Sequence, residues 1–551
     1  MISYLSDCEE ASLQSYQVCI VGSGAAGISL AVKLSLAGRR VLLVETGDWS
    51  ETPALNAFYA GQAAHPHSAT TEYRRQRFGG TTHLWGGRCV PLEPIDFADR
   101  PLISPHGWPI GYEDIAAFYP EAMSYCDAGQ ADFAVAALAG SEAPMFEELP
   151  LLAPDLVEQI ERYSLPTDFA KKYKLHLAQS PDVQVLLRAR CTRLIATADG
   201  TRITAVELSH DKRKVKVTAG QYVLCSGGIE TTRLLLNAME DIPPWKRMSS
   251  SLGRYYGCHY DVIFGELRIN GKKPFFGFQK TRDGVYARRK LQFSPQVQQE
   301  DGLLNSAFRL HFPPYADPSH GSGILSTIFL AKSILPSEHQ SILNHGGSKV
   351  AAPNRLAHLR NVIGDLPAVA GFGWDYIFKL KLAKRKLPYT LVNNRNGSYP
   401  IEFNSEQVPD AENRIELTHD RDSNGLRRVA IHWKLNDLDI RSGVAAFKRL
   451  QKQMSTTRFC RLSFDETALE ECVAEAPPIG GHHMGTTRMS ASEKTGVVDG
   501  NCQVHGVSNL FVASSSVFPT NGHANPTLTI VALALRLADF LNGKANVRRR
   551  A

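Results

Sequence analysis

The stretch from Val18 to Glu45 constrains this chain more than any other. The apolar run Val18-Cys19-Ile20-Val21 predicts a buried parallel strand. Gly22-Ser23-Gly24-Ala25-Ala26-Gly27 follows it. Gly22 and Gly24 allow a tight turn and a close backbone approach to a diphosphate, and Gly27 lets the next helix pack on the strand. That helix carries Ile28, Leu30, Ala31, Leu34 and Leu36, and Gly38 suits its C-terminal end. Its free N–H groups and positive dipole end face the turn. A second strand, Val41 to Val44, runs into Glu45 and Thr46; Glu45 lies 23 residues after Gly22. A carboxylate there accepts ribose hydroxyls. Glycine-rich turns also occur in ordinary β-α-β units. Strand, turn, helix, strand and acid in this order select a dinucleotide site.

At 551 residues the chain is too long for one ordinary core, so two or more domains are expected. A surplus of six positive charges is mild, and no dense basic patch with interleaved aromatics points to nucleic acid. Arg548-Arg549-Arg550 reads as a solvated terminus. The first 15 residues are polar and acidic, and no apolar run reaches membrane-spanning length. The ten cysteines form no C-x-x-C pair, which removes the usual local patterns for zinc or iron–sulfur clusters. Free buried thiols and a cytoplasmic location are the expectation.

A second glycine-rich loop runs Arg74-Arg75-Gln76-Arg77-Phe78-Gly79-Gly80-Thr81-Thr82-His83-Leu84-Trp85-Gly86-Gly87-Arg88. Two Gly-Gly pairs permit close backbone approach to something flat or phosphorylated, and the arginines suit a diphosphate. Strand-like runs at 183–195 and 203–208 pass through Cys191. Another, Val215 to Cys225, ends at Ser226-Gly227-Gly228 before a helix, a further strand-to-helix glycine turn. From Cys258 to Glu475 the texture changes: strands at 260–269, 306–312 and 323–329 alternate with helices at 355–363 and 374–384. The basic amphipathic run Phe378 to Lys386 reads as a solvated helix face in preference to a membrane contact, the alternative its pattern also allows. A strand pair at 413–417 and 429–433 is joined through Asp422-Ser423-Asn424-Gly425. The last 75 residues carry His482-His483-Met484-Gly485-Thr486, then Ser514-Ser515, then Asn525-Pro526-Thr527 opening a helix to Leu541. Asn525 reads as its N-cap, with Pro526 in its first turn.

In order and spacing, these four segments resemble the glucose–methanol–choline oxidoreductase family, and within it the bacterial pyranose-oxidase-like, sugar-oxidising members. The resemblance implies an α/β fold: a Rossmann-like FAD-binding domain plus an α+β substrate domain with a mainly antiparallel sheet. The FAD part is expected at 1–120, 183–257 and 476–551, and the substrate part at 121–182 and 258–475. Expected cofactor contacts are Gly22, Gly24, Ala25, Ala26, Gly27, Glu45, Thr46, Arg77, Gly79, Gly80, Thr81, His83, Leu84, Trp85, Gly86, Gly87, Cys191, Ser226, Gly227, Gly228, Ser515, Asn525, Pro526 and Thr527. The pattern H-x-x-G-T implies His482 as the catalytic histidine and Asn525 as its partner. No metal is expected. Two departures matter. Where pyranose oxidases carry the histidine that links FAD covalently, this chain has Leu84, with His83 one place earlier, so non-covalent FAD is expected. Ser514 stands where many members have Asp.

The implied reaction is oxidation of an alcohol on a sugar or glycoside, with hydride transfer to flavin N5 and oxygen or a quinone or dye as electron acceptor. A histidine suits the base because its pKa lies near working pH. Alternatives are a flavin-retaining lyase of the hydroxynitrile type, the catalytic subunit of a quinone- or dye-linked dehydrogenase, and a non-catalytic flavoprotein. His483 and His523 read as structural neighbours.

Overall fold

A computed structural model describes all residues except 102, 104–106, 141–142, 147–148, 248–249, 333–353, 393–396 and 544–551. The basic tail at 548–550 therefore lies outside the described residues. Five crossings of the chain build a six-stranded, all-parallel sheet ordered Ile2–Tyr4, Val183–Leu187, Val41–Val44, Tyr16–Val21, Ala219–Leu224, Leu510–Val512. Its central strands are buried in one core shared with helices and with the three-stranded sheet of Arg190–Ala196, Ile203–His210 and Arg213–Val217, which is why they read as unbroken hydrophobic runs. The helices Ala25–Leu36 and Thr527–Leu541 pack together on it. N- and C-terminal segments thus share one core.

The second layer is an antiparallel sheet ordered Cys460–Ser463, Tyr260–Ile269, Ser398–Ser405, Ser306–Leu310, Tyr286–Phe293, Leu156–Tyr163, Arg88–Cys89, with Phe278–Lys280 beside Tyr286–Phe293. Its two faces differ, as the two-residue period of a strand allows. Leu291, Phe293, Phe308, Ile401 and Phe403 pack against Phe447 and Leu450 of the helix Asp437–Met454. The opposite face is polar: Arg288 and Arg309 bind Glu402, and Lys290 and Gln292 reach Glu93.

Three local expectations differ from the structure. The run 323–329, read as a strand, is a helix, Gly323–Ala331, capped by Ser322 Oγ accepting from Leu325 N–H. Nine residues with an N-cap serine outweigh the β-branched look of the sequence. The strand read over Val215 to Cys225 breaks at Thr218 into Arg213–Val217 and Ala219–Leu224, which belong to different sheets. The helix expected at 374–384 is α-helical only to Asp375 and continues as a π-helical stretch, Tyr376–Leu382.

Candidate active site

Three helices begin on one cleft. The cleft is lined by Gly22, Gly24, Ala25 and Ala26; by Ser226, Gly227 and Gly228; and by Pro526 and Thr527, which start the helices Ala25–Leu36, Gly227–Asp241 and Thr527–Leu541. Each contributes unpaired N–H groups and a positive dipole end. Together they make an anion-binding wall. Gly22 sits at φ +107°, and a Cβ there would stand 2.6 Å from the Cys225 carbonyl oxygen. A Cβ on Gly27 would stand 1.9 Å from the carbonyl oxygen of Gly22. Both therefore serve the close packing of turn, helix and strand. Gly24 is different: a Cβ there meets no protein atom within 4 Å. It faces open space on the cleft.

Glu45, Thr46, Gly80, Thr81, Trp85, Cys191, Ser515 and His482 also line the cleft. The buried Glu45 carboxylate accepts from Ser23 N–H at 3.1 Å, Ser23 Oγ at 2.6 Å and Gly47 N–H at 2.7 Å. Burial nevertheless pushes its pKa up. The structure does not bring Arg77, Gly79, His83, Leu84, Gly86, Gly87 or Asn525 onto this wall. Gly79, at φ +91°, packs on Ala170, and Gly87 packs on Ser164. His83 donates through Nδ1 to the Gly80 carbonyl at 2.9 Å, and Leu84 points outward at 43 % exposure.

Residues the sequence reading passed over, Tyr59, Arg190, Glu230 and Arg233, complete the wall together with His483, which that reading took for a structural neighbour. Arg74 pairs with Glu230 at 2.9 Å; Arg190 and Arg233 both pair with Asp422 Oδ2, at 2.9 and 2.6 Å. Asp422 Oδ1 meanwhile accepts from Asn424 and Leu426 N–H in its own turn. The hairpin loop Asp422 to Gly425 looked like a surface turn, and only its acid at the first position hinted at a second duty.

The histidine pattern has a specific geometry. Gly485 lies at φ +86°, where a Cβ would stand 2.1 Å from the Tyr255 carbonyl oxygen, so glycine is required for the turn. Thr232 and Thr486 join through their hydroxyls at 2.7 Å, tying this turn to the helix Gly227–Asp241. His482 Nε2 lies 3.1 Å from Asn525 Nδ2. Asn525 was expected to cap the last helix; instead Pro526 occupies the cap position, and the Asn525 amide reaches His482.

The tautomers follow from the acceptors. His259 Nε2 contacts the Asn521 carbonyl at 3.3 Å and must donate there, so its Nδ1 carries the lone pair. His482 Nδ1 lies 2.9 Å from that atom and must be the donor. His482 Nε2 is left unprotonated, facing Asn525. Burial lowers the pKa of His482 well below its usual value, and the neighbouring His259, Arg88 and His483 lower it further. His259 is pushed down to about 4, chiefly by burial.

His483 is fixed in the same way. His67 Nδ1 donates to the Ser68 carbonyl at 2.7 Å, so its Nε2 accepts from Tyr256 O–H at 2.8 Å. Tyr256 oxygen then accepts from His483 Nδ1–H at 2.6 Å. His483 Nε2 is a buried acceptor without a protein partner, as are the donors Arg74 Nη1 and Arg190 Nη1. His67, Cys258 and His483 stand close enough to share a metal ion, but the Tyr256 hydroxyl already holds the place between them.

A family profile described as GMC oxidoreductase matches residues 409–534. The chain is 23 % identical to 2-methyl-1,2-propanediol dehydrogenase of Mycolicibacterium austroafricanum over 96 % of each protein. It is 28 % identical to the fructose dehydrogenase large subunit of Gluconobacter japonicus over 62 % of this chain and 50 % of that one. The structure of pyridoxine 4-oxidase from Mesorbium loti aligns over 96 % of this chain and 100 % of the other, with a TM-score of 0.56 at 14 % identity. The parallel sheet with its glycine turns, the antiparallel second layer and these likenesses agree: the chain is an oxidoreductase whose residues 409–534 match the GMC oxidoreductase family.

Proposed function

We propose that this protein oxidises a secondary or primary alcohol of a sugar or glycoside, with FAD held non-covalently in the three-helix cleft. The residues fit such a group. The helix N-termini and Gly24 offer an anion cradle, Glu45 stands at the end of the second strand, and His483 Nε2, Arg74 Nη1 and Arg190 Nη1 are buried polar atoms awaiting partners. His83, turned to the Gly80 carbonyl and away from the cleft wall, supports a non-covalent mode. Bound FAD supplies the two-electron acceptor for the carbinol C–H.

His482 does the proton work. Its Nε2 lone pair accepts the hydroxyl proton, which pushes electron density toward the carbon, a contribution of ~10²–10⁴-fold in rate. Asn525 donates to the same oxygen and sets which C–H is presented. Three helix N-termini compensate negative charge as it grows in the cleft. The observation that carries this reading is the neutral Nε2 of His482, fixed by His259 and set 3.1 Å from Asn525. Sugar choice is supported by the likeness to fructose dehydrogenase; the ten free cysteines support a reducing compartment.

Anaerobic mixing with a panel of sugars, glycosides and small alcohols tests it. Bleaching of the yellow enzyme by a sugar is the expected result. Turnover without bleaching points to a lyase, and no response to any alcohol overturns the reading. Air against a quinone or dye as re-oxidant separates oxidase from dehydrogenase.

A further inference from the structure

The described surface exposes 14 large apolar side chains, and nine of them fall between residues 356 and 382. They are ordered. Leu356, Leu359 and Ile363 make one stripe at i, i+3, i+7 on the helix Arg355–Gly364. Leu366 continues it. Trp374, Ile377 and Phe378 repeat the i, i+3, i+4 spacing, with Tyr376 and Leu382 alongside. Trp374 is 64 % exposed and its ring lies 4.0 Å from that of Phe378, tilted by 33°. Clustered exposure on this scale marks an interaction surface.

The charge of this segment is equally uneven. Residues 354–387 hold seven Lys and Arg against two Asp and Glu. The whole chain has a surplus of only six, so nearly all of it sits in these 34 residues. Asp365 is buried, accepting from Gly323 N–H, and Asp375 is paired with Lys379 at 2.9 Å. Lys381, Lys384 and Lys386 are exposed beside the apolar stripe. The segment is also anchored. His358 stacks on Phe329 at 4.0 Å, and Arg385 donates to the carbonyls of Asp127 and Tyr163. The apolar face is therefore held outward by a fixed base.

We infer that the helical segment Arg355–Leu382, with its flanking lysines, docks on an anionic lipid bilayer surface. Leucine, isoleucine and phenylalanine side chains enter the boundary region, tryptophan and tyrosine sit at headgroup level, and lysines meet lipid phosphates. A solvated helix face, the reading from sequence, leaves nine exposed apolar groups unexplained. A dimer interface explains the apolar groups but places like-charged lysines together. No described helix is long and apolar enough to cross a membrane, which fits attachment at one face.

The test uses the full chain and vesicles of phosphatidylcholine with or without about a third phosphatidylglycerol. Co-sedimentation with the anionic vesicles only, weakened by salt, is the expected result. Trp374 is the one exposed tryptophan of six, so a blue shift of emission on binding should vanish in Trp374→Phe. Lys381→Gln with Lys384→Gln should weaken binding roughly fivefold per lysine, and Phe378→Asp with Ile377→Asp should abolish it. Both lysines are exposed, and Lys381 lies over only the exposed Tyr376 ring, so the lysine pair keeps the test valid if the aspartate pair misfolds. Failure of the wild-type chain to bind anionic vesicles overturns the inference. So does equal binding to neutral vesicles, or a dimer in solution that the Phe378→Asp change makes monomeric.

Discussion

His259 and His482 meet Nδ1 to Nδ1 at 2.9 Å, and the carbonyl of Asn521 decides which of them donates. The consequence is an Nε2 on His482 that carries the lone pair and faces Asn525. His259→Phe should remove the acceptor, release the second tautomer and slow flavin reduction by about 10²-fold or more. His259→Asn places an acceptor near the same spot and should restore most of the rate. A merely structural His259 would not distinguish the two variants, and stopped-flow reduction measures both. Equal rates in His259→Phe and wild type would remove its positioning role.

The same pair links activity to pH. Burial and neighbouring cationic or ring groups hold His482 well below its usual pKa, so the acid limb of the reduction rate should lie well below pH 6.5. His482→Ala should retain cofactor and lose the limb together with the rate. An acid limb centred at 6.5 in the wild type would show that the imidazole is solvated in the working enzyme.

How legible was this in the sequence? The glycine turns, the parallel strands and His482 announced themselves because each is local: a turn, a strand run and a helix start lie next to one another in the chain. His259 was silent because it is a lone histidine at a strand edge, 223 residues from the atom it serves. Asp422 was silent for the same reason, since its arginine partners lie 189 and 232 residues away. Asn525 illustrates competition: a cap motif and a long-range hydrogen bond both fit its residue type, and the tertiary partner won. Gly323–Ala331 was misread because a short apolar run has no period of its own.

Gly24 and Gly27 separate binding from folding. Gly24 has φ −72°, which any residue adopts, and open space at its Cβ. Gly24→Val should therefore leave the melting temperature of the cofactor-free protein unchanged while abolishing FAD loading. Gly27→Val drives a side chain into the Gly22 carbonyl and should prevent folding. Absorbance of the purified proteins, with circular dichroism, reads both. A yellow Gly24→Val protein with one flavin per chain would remove the diphosphate from this turn.

Asp422 has no exposed side-chain surface, and Arg190 and Arg233 share its Oδ2. Asp422→Ala strands two guanidinium groups in the interior and leaves the hairpin turn without its acceptor. The expected cost is about 3–5 kcal/mol, most of it from uncompensated charge rather than lost attraction. Chemical denaturation should show it as a lower midpoint at unchanged slope, and a wild-type midpoint would place solvent at the arginines.

Acid unfolding supplies the last test. His259 ionises at about 4 in the folded chain against 6.5 unfolded, so the unfolded state binds more protons between those values. Its contribution is complete above pH 6.5 and is lost as pH falls toward 4, about 3 kcal/mol over the window. Asp439 has the opposite sign. Burial raises it to about 7, so it weakens the fold as pH rises from 3.8 through 7. Between pH 5 and pH 7.5 the gain from His259 and the loss from Asp439 therefore nearly cancel in the wild type, so His259→Asn should leave stability falling across that window and Asp439→Asn should leave it rising. A wild-type pH dependence that His259→Asn leaves intact would mean the imidazole is charged in the folded protein, and the donor assignment to His482 would fall with it.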